Sequence, residues 1–359
     1  MPQINKILVS DVEYKHATAL IKGIKSCYPN VHITGQVSEK RSSIFVSKLV
    51  DSLFIGPLDQ ALKNDKYDII IPVSGGATQF ISKQKMTEVF LASSEQISSA
   101  LDKYELSTTC NMLGMTYPKT EKFKHIDDLK NFGFPCVVKS RNETLSKFDT
   151  VYFDNAETFD NLYDKIEKLL FEHSELILQE RVRAKISRGF FALCSNGQIL
   201  CEFMHERVRQ WPRSGGSSTS AKGINCVKLQ HLSGRFLRDL EWTGPVMLEY
   251  LYDEVEDAYT LIEINPKFWG SLDLAINSGV NFGSALLDAK FGKPVTRYNY
   301  SLIQTSWPLD GDLVNLVQTG NFLGFLSYFD RNHHLVWGES IKSIIIKFLW
   351  TLKKLTHVS

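Results

Sequence analysis

Apolar and polar positions along the N-terminal part of the chain follow two rhythms. Four short apolar runs, KILVSD (6–11), VHITGQ (31–36), SLFIGP (52–57) and YDIIIPVSGG (67–76), have the length and the bounding turn residues of strands. Between the first two lies KHATALIKGIKSCYP (15–29), whose apolar residues recur at helical spacing. Strands alternating with helices predict a Rossmann-like parallel α/β sheet over residues 1–93. The turn VSGGATQFI (73–81) sets two glycines between a strand and a helix. It lacks the spacing of a phosphate-binding loop, so a plain turn and a ligand-holding helix start both stand.

The pattern then becomes helical over residues 93–115, and FPCVVKS (134–140) starts a new strand. In GFFALCSNGQILCEFMHERVRQ (189–210), Asn196-Gly197 between two β-rich runs predicts a tight hairpin. A second hairpin follows in VMLEYLYDEVEDAYTLIEINPK (246–267), and two helices in residues 272–294. This middle block, 94–300, reads as α+β with antiparallel sheets. Residues 301–359 carry little pattern until IKSIIIKFLWTLKKL (341–355). There Ile341, Ile344, Ile345, Phe348, Leu349, Leu352 and Leu355 follow helical spacing, while Lys342, Lys347, Lys353 and Lys354 lie mostly off that stripe. The stripe predicts a basic amphipathic helix over about 340–355 that docks on the protein's own core, with peripheral contact to an anionic membrane as the alternative.

Composition changes this picture little. Lys+Arg 41 against Asp+Glu 40 leaves a net charge of +1, so no global field draws nucleic acid, and any anionic ligand must be met locally. No apolar run reaches the ~18 residues that span a membrane. The N-terminus runs straight into a strand without a leader pattern, which gives a cytoplasmic expectation, with attachment to the inner membrane face left open through the tail. Cys27, Cys110, Cys136, Cys194, Cys201 and Cys226 lack the paired spacing of zinc sites and are expected to be buried free thiols.

The second hairpin carries the sharpest chemistry. If its loop is symmetric about Glu256, Glu249 faces Glu263 across the ladder, and Asn265 shares the face of Glu263. Like charges directly opposed on neighbouring strands are destabilising. A hard divalent cation resolves the repulsion, and Mg²⁺ with one or two carboxylates plus substrate phosphates is the usual arrangement. An exposed face with two unrelated glutamates is the other reading. Lys139 at the end of a buried strand and Lys103 in the preceding helical stretch suit the polyphosphate such a metal needs, or are solvated lysines.

Taken in order, LDKYEL, FPCVVKS, LILQERV, GFFAL, VMLEYLYDE and LIEINPKFWGS resemble the ATP-grasp superfamily, especially its carboxylate–amine ligase and carbamoyl-phosphate-synthase-like members. The resemblance runs to about residue 295 and implies a pre-ATP-grasp α/β domain (1–93) followed by an ATP-grasp domain (94–300) with a lid over about 134–182. It implies that Lys103 and Lys139 contact ATP phosphates, that Glu180 accepts from the adenine amino group, and that the backbone of Val182 pairs with the ring edge. Glu249, Glu263 and Asn265 would hold Mg²⁺, or Mn²⁺, between the phosphates. Lys267 stands where many relatives carry arginine, which keeps the charge and loses the bidentate fork.

Two departures stand out. KSRNETLSKFDTVYF (139–153) has no glycine where relatives carry a flexible phosphate loop, so Lys147 or Arg141 would replace backbone donors. RVRAKISRG (181–189) is wholly basic where a ribose-binding acid is usual. In the stretch that borders the acceptor site in such ligases, His205, Arg207 and Arg209 alternate on one strand face. Arg207 would fix a substrate carboxylate, and His205 would act as a base on the incoming amine or pack. The implied activity is ADP-forming ligation of a small carboxylate to an amine, in a chain that could form homodimers. Carbamoyl-phosphate-like chemistry, a nucleotide-binding module without turnover, and a role on a surface-polysaccharide precursor remain as alternatives.

Overall fold

The computed structural model describes residues 4–142, 150–155, 162–173, 175–184, 186–212, 216–296 and 299–356. By compactness the chain forms two units: Met1–Ala92, Arg188–Met247 and Lys267–Ser359 make the first, Ser93–Ser187 and Leu248–Pro266 the second. Sequence-contiguous blocks and compact units therefore differ, because residues from Ile7 to Trp307 share one hydrophobic core in the first unit.

That unit opens with β1 (Lys6–Val9), β2 (His32–Val37), β3 (Ser52–Ile55) and β4 (Ile69–Ile71), all parallel and ordered β3-β2-β1-β4. Each is one of the four predicted runs. Ile7 and Val9 share a core with Ala17, Leu20 and Ile24 of the helix Lys15–Cys27. Leu8 and Ile70 face the other way, onto Ala61 and Ile81 of the helices Leu58–Asn64 and Gly75–Ser82. Cover on both faces is the ordinary condition of a parallel sheet and explains its continuous apolar runs.

In the second unit β5 (Thr120–Phe123), β6 (Cys136–Ser140), β7 (Val151–Phe153) and β8 (Leu176–Glu180) form an antiparallel sheet, ordered β5-β8-β6-β7. Phe123, Cys136, Val138, Phe153, Leu176 and Leu178 make its core with Leu129 and Ile166 from two helices. The antiparallel part of the first unit consists of β9 (Ile186–Ser195), β10 (Gln198–Trp211), β11 (Ser217–Gly223), the start of β12 (Gly244–Asp253) and β14 (Gln304–Ser306), with β15 (His333–Leu335) added parallel to β14. The remainder of β12 forms a hairpin with β13 (Ala258–Asn265) in the second unit. Asn196 and Gly197 join β9 to β10 with φ of 45° and 77°, the paired left-handed conformations that a two-residue hairpin requires. Parallel and antiparallel sheets thus occur as expected.

Two expectations change. Residues 301–359, expected as a C-terminal extension beyond the resemblance, share the core of the first unit: β14 pairs with β11, and Trp307 is fully buried there. Strands of three residues are too short to show a period. The C-terminal helix, Ile341–Thr356, also docks the opposite way from its apolar stripe. Ser343 and Thr351 are buried, Lys347 pairs with Asp310 at 2.8 Å, and the Thr351 hydroxyl reaches the Leu309 carbonyl at 3.4 Å. The surface beneath it offers a carboxylate and a carbonyl, which a lysine and a threonine satisfy and an isoleucine cannot.

All six cysteines are free; Cys110, Cys136, Cys194 and Cys201 are buried as expected, whereas Cys27 is exposed. Burial pushes the Cys110 thiol up to about 12 and that of Cys136 to about 11.

Candidate functional site

In the second unit the β12–β13 hairpin turns through residues 254–257, and Tyr252 stacks on Tyr259 with ring centroids 4.7 Å apart. The turn is therefore centred between Val255 and Glu256, not on Glu256. Along β12, Leu248 and Tyr250 are buried and Glu249 is half-buried on the other face. On β13 the inward parity changes: Tyr259 and Leu261 are buried, then Ile264. One extra residue in a strand has this effect. Glu263 and Asn265 then lie, like Glu249, on the face turned away from the buried residues. Ser187 donates its hydroxyl to Glu249 Oε1 at 3.3 Å.

Lys103 and Lys139 are in the same unit. Asp102 caps the helix Lys103–Met112, its Oδ1 accepting from the backbone of Tyr104 (3.0 Å) and Glu105 (3.1 Å), so Lys103 is the first helical residue; it is buried. Lys139 Nζ donates to Gln179 Oε1 at 3.1 Å, and Gln179 in turn donates to Thr120 at 3.0 Å. This relay across three strands sets the direction of the lysine. Arg141 is engaged elsewhere, by Asp102 (2.7 Å), Glu175 (3.0 Å) and Glu105 (3.2 Å), so it does not stand in for lid donors. Lys147 lies outside the described residues.

Glu180, the last residue of β8, and Val182 just past it line a cavity of about 690 Å³ with Tyr117, Phe132, Phe134 and Thr260. The carboxylate of Glu180 is exposed to that space, and its Oε2 accepts weakly from the Lys119 amide at 3.4 Å. Tyr117 donates to the Ile262 carbonyl at 3.3 Å, and the Leu261 amide donates to the Thr116 carbonyl at 3.0 Å. The cavity wall is thus tied to the strand that carries Glu263 and Asn265. Burial holds the Tyr117 phenol well above its usual range, so it stays a neutral donor. No acidic side chain in RVRAKISRG presents itself for a ribose; Arg181 pairs with Asp154 and Arg188 with Glu206 at 2.9 Å.

The remaining predicted residues belong to the first unit. Register shifts between Arg207 and Gln210 break the alternation expected on β10. Arg209 is locked by two 2.8 Å hydrogen bonds to Asp312, which is fully buried, and serves the fold. Arg207 donates to Ser218 (3.0 Å) and Gln210 (2.8 Å). His205 is buried with its ring edge-on to Phe191, centroids 4.5 Å apart, and a Cβ on its partner Gly189 would fall 2.4 Å from Phe191. Burial, then the neighbouring Arg207, pulls its pKa down to about 3, and Nδ1 has no hydrogen-bond partner among the described residues. That is a packed neutral imidazole, not a base open to an incoming amine.

Lys267 is half-buried and lies within electrostatic reach of His16, whose pKa falls to about 3 through burial first and then Lys267 and Lys15. Lys15 packs over Trp307, 4.1 Å from the ring centroid, and Trp307 Nε1 donates to Asp273 at 2.7 Å. Lys15 and Asp273 line a charged cavity of about 370 Å³ with Glu13, Asp310, Glu339 and Lys347. The sequence reading missed this group. Its signal was positional: His16 and Lys15 follow the carboxyl end of β1, where α/β sheets receive ligands.

No family model matches the chain. It is 22% identical over 282 residues to the arginine-specific carbamoyl phosphate synthase large chain of Eremothecium gossypii, covering 72% of this chain and 25% of that one. It is 24% identical over 276 residues to the D-aspartate ligase of Enterococcus faecium, covering 68% of this chain and 63% of that one. The chain thus spans about a quarter and under two thirds of the lengths of these relatives. Among solved structures, an ADP complex of N5-carboxyaminoimidazole ribonucleotide synthetase superposes with a TM-score of 0.71 at 12% identity, over 99% of this chain and 98% of the other. An L-amino acid ligase from Bacillus licheniformis gives 0.63 at 15% identity, over 80% and 75%. These likenesses are of fold, and the first extends through the last sixty residues.

Proposed function

We propose that this chain, which has the ATP-grasp fold, is an ATP-dependent ligase that joins a small carboxylate, an amino acid or related acid, to an amine with release of ADP and phosphate. The observation that carries the reading is the hairpin face of Glu249, Glu263 and Asn265, on a strand tied to the wall of the cavity lined by Glu180 and Val182. Adenine fits that cavity between Phe132, Phe134 and Tyr117, with Glu180 accepting from its amino group. Two carboxylates and an amide oxygen are hard oxygen donors that suit Mg²⁺ shared with substrate phosphates, and Mn²⁺ by the same chemistry. When bound, the metal neutralises charge on the phosphates.

The chain's own residues supply position and charge, which is nearly all that phosphoryl transfer asks of a protein. Lys103 and Lys139 hold phosphate oxygens. An oxygen of the substrate carboxylate attacks the γ-phosphorus and ADP leaves, giving an acyl phosphate. The amine nitrogen then attacks the acyl carbon, loses a proton, and phosphate departs. Lys267 is assigned to the transferring phosphoryl group and Arg207 to a substrate carboxylate.

The names of the D-aspartate ligase and the L-amino acid ligase favour an amino acid as substrate. Likeness to the carbamoyl phosphate synthase chain supports a second reading, phosphorylation of a carbamate-like substrate. The glycine-free run 139–153 supports a third, nucleotide binding without turnover. Mg²⁺-dependent ADP release across the twenty amino acids, singly and in pairs, separates them. Turnover with particular amino acids that falls about 100-fold or more in Glu263→Gln supports ligation. Turnover that Glu263→Gln leaves untouched removes the hairpin from the chemistry, and ATP binding with silence across the panel moves the reading to a surface-polysaccharide acceptor or to the third alternative.

A further inference from the structure

The C-terminal helix is inverted relative to its neighbours. Ile341, Ile345, Phe348, Leu349 and Leu352 are between 43% and 78% exposed, and at 100° per residue they fall within an arc of roughly 100°. Ser343, Lys347 and Thr351, the residues that face the protein, lie on the other side of the helix. A globular helix ordinarily buries its apolar stripe and exposes its lysines. Here the polar stripe is fixed inward by specific bonds, Lys347 to Asp310 and Thr351 to the Leu309 carbonyl, so the exposed apolar face is not an accident of loose docking.

What covers that face is indicated by charge. The helix, Ile341–Thr356, carries four lysines and no acidic residue. Lys342 and Lys353 border the apolar arc, whereas Lys354 lies on the side of Ser343 and Lys347, and Trp350 packs on Phe45 with ring centroids 6.0 Å apart. A second copy of this helix would bring lysine against lysine. An anionic bilayer surface accepts the apolar side chains below its headgroups and the two bordering lysines among them. We propose that this helix seats the protein on an anionic lipid surface, lying in the plane of the interface. Among the described residues no helix is long and apolar enough to cross a membrane, which agrees with a helix that lies on one. The proposal is independent of the ligase reading.

The test is co-sedimentation of the full chain with phosphatidylcholine vesicles and with vesicles holding about 30% phosphatidylglycerol at low salt. The expected result is binding at least tenfold tighter to the anionic vesicles, declining as salt rises. Leu349→Gln/Leu352→Gln should lose at least tenfold on them. Lys342→Gln/Lys353→Gln should fall toward the phosphatidylcholine level, at about fivefold per lysine. Because these side chains face solvent, thermal melts of both variants should match the parent, and the lysine variant keeps the test valid if the apolar one melts early. Absence of binding to anionic vesicles, or binding unchanged in the apolar variant, overturns the proposal. So does a concentration-dependent dimer that the apolar variant converts to monomer, which would give the face to a second copy.

Discussion

At the scale of single residues, the basic stretch on β10 shows how neighbours in sequence part ways. Arg209 and Asp312 form a buried bidentate pair, with Thr219 and Tyr328 also donating to the carboxylate. Removing one partner leaves an uncompensated buried charge, so Asp312→Ala should lose about 3–5 kcal/mol in urea unfolding. A loss under about 1 kcal/mol would show the pair to be ornamental. His205 offers a pH test. Its folded pKa of about 3 lies below the usual 6.5, so between these values the unfolded chain binds a proton that the folded chain does not. Stability from this group is full above pH 6.5 and declines as pH falls toward 3. At pH 5 the loss is about 2 kcal/mol, and His205→Gln should retain that much more of its pH 7 stability; equal losses in parent and variant would contradict a buried neutral ring.

At the scale of elements, the β12–β13 hairpin and the edge of β8 make separable contributions. Glu180→Ala removes an acceptor from the cavity and should weaken ATP binding about tenfold to 100-fold in calorimetric titration, with the Mg²⁺ requirement unchanged. Glu249→Gln should do the reverse, raising the Mg²⁺ concentration for half-maximal activity while nucleotide binding without metal stays the same. If both substitutions act alike, cavity and hairpin are not the two halves of one nucleotide site. The hairpin was legible from spacing, although its assumed centre was half a residue off. Inward parity changes between Leu261 and Ile264, and a strand's own residues carry no mark of such a shift.

At the scale of the molecule, the residues proposed to hold adenine, metal and phosphate oxygens, Glu180, Val182, Glu249, Glu263, Asn265, Lys103 and Lys139, lie in the second unit, and Arg207, His205 and Lys267 in the first. A ligand stabilises the part that binds it, by about 2.7 kcal/mol at one hundred times its dissociation constant. Hydrogen exchange with Mg²⁺ and ATP should therefore slow most in peptides from residues 93–187 and 248–266. Protection concentrated in residues 1–92 would place the nucleotide elsewhere.

Local pattern alone determined the parallel strands β1 to β4, the Asn196-Gly197 hairpin and the order of motifs, because strand period, turn conformation and helix spacing are properties of neighbours along the chain. It also indicated the β12–β13 hairpin, since a hairpin is a local structure. Tertiary structure decided what depends on surroundings. It buried His205 and gave Arg209 to Asp312, it drew Trp307 into the first core, and it gathered Lys15, His16, Asp273 and Lys267 from distant segments. Above all it decided which face of the last helix points inward: amphipathicity says that a helix has two faces, but only the groups beneath it, here Asp310 and the Leu309 carbonyl, determine which face is bound.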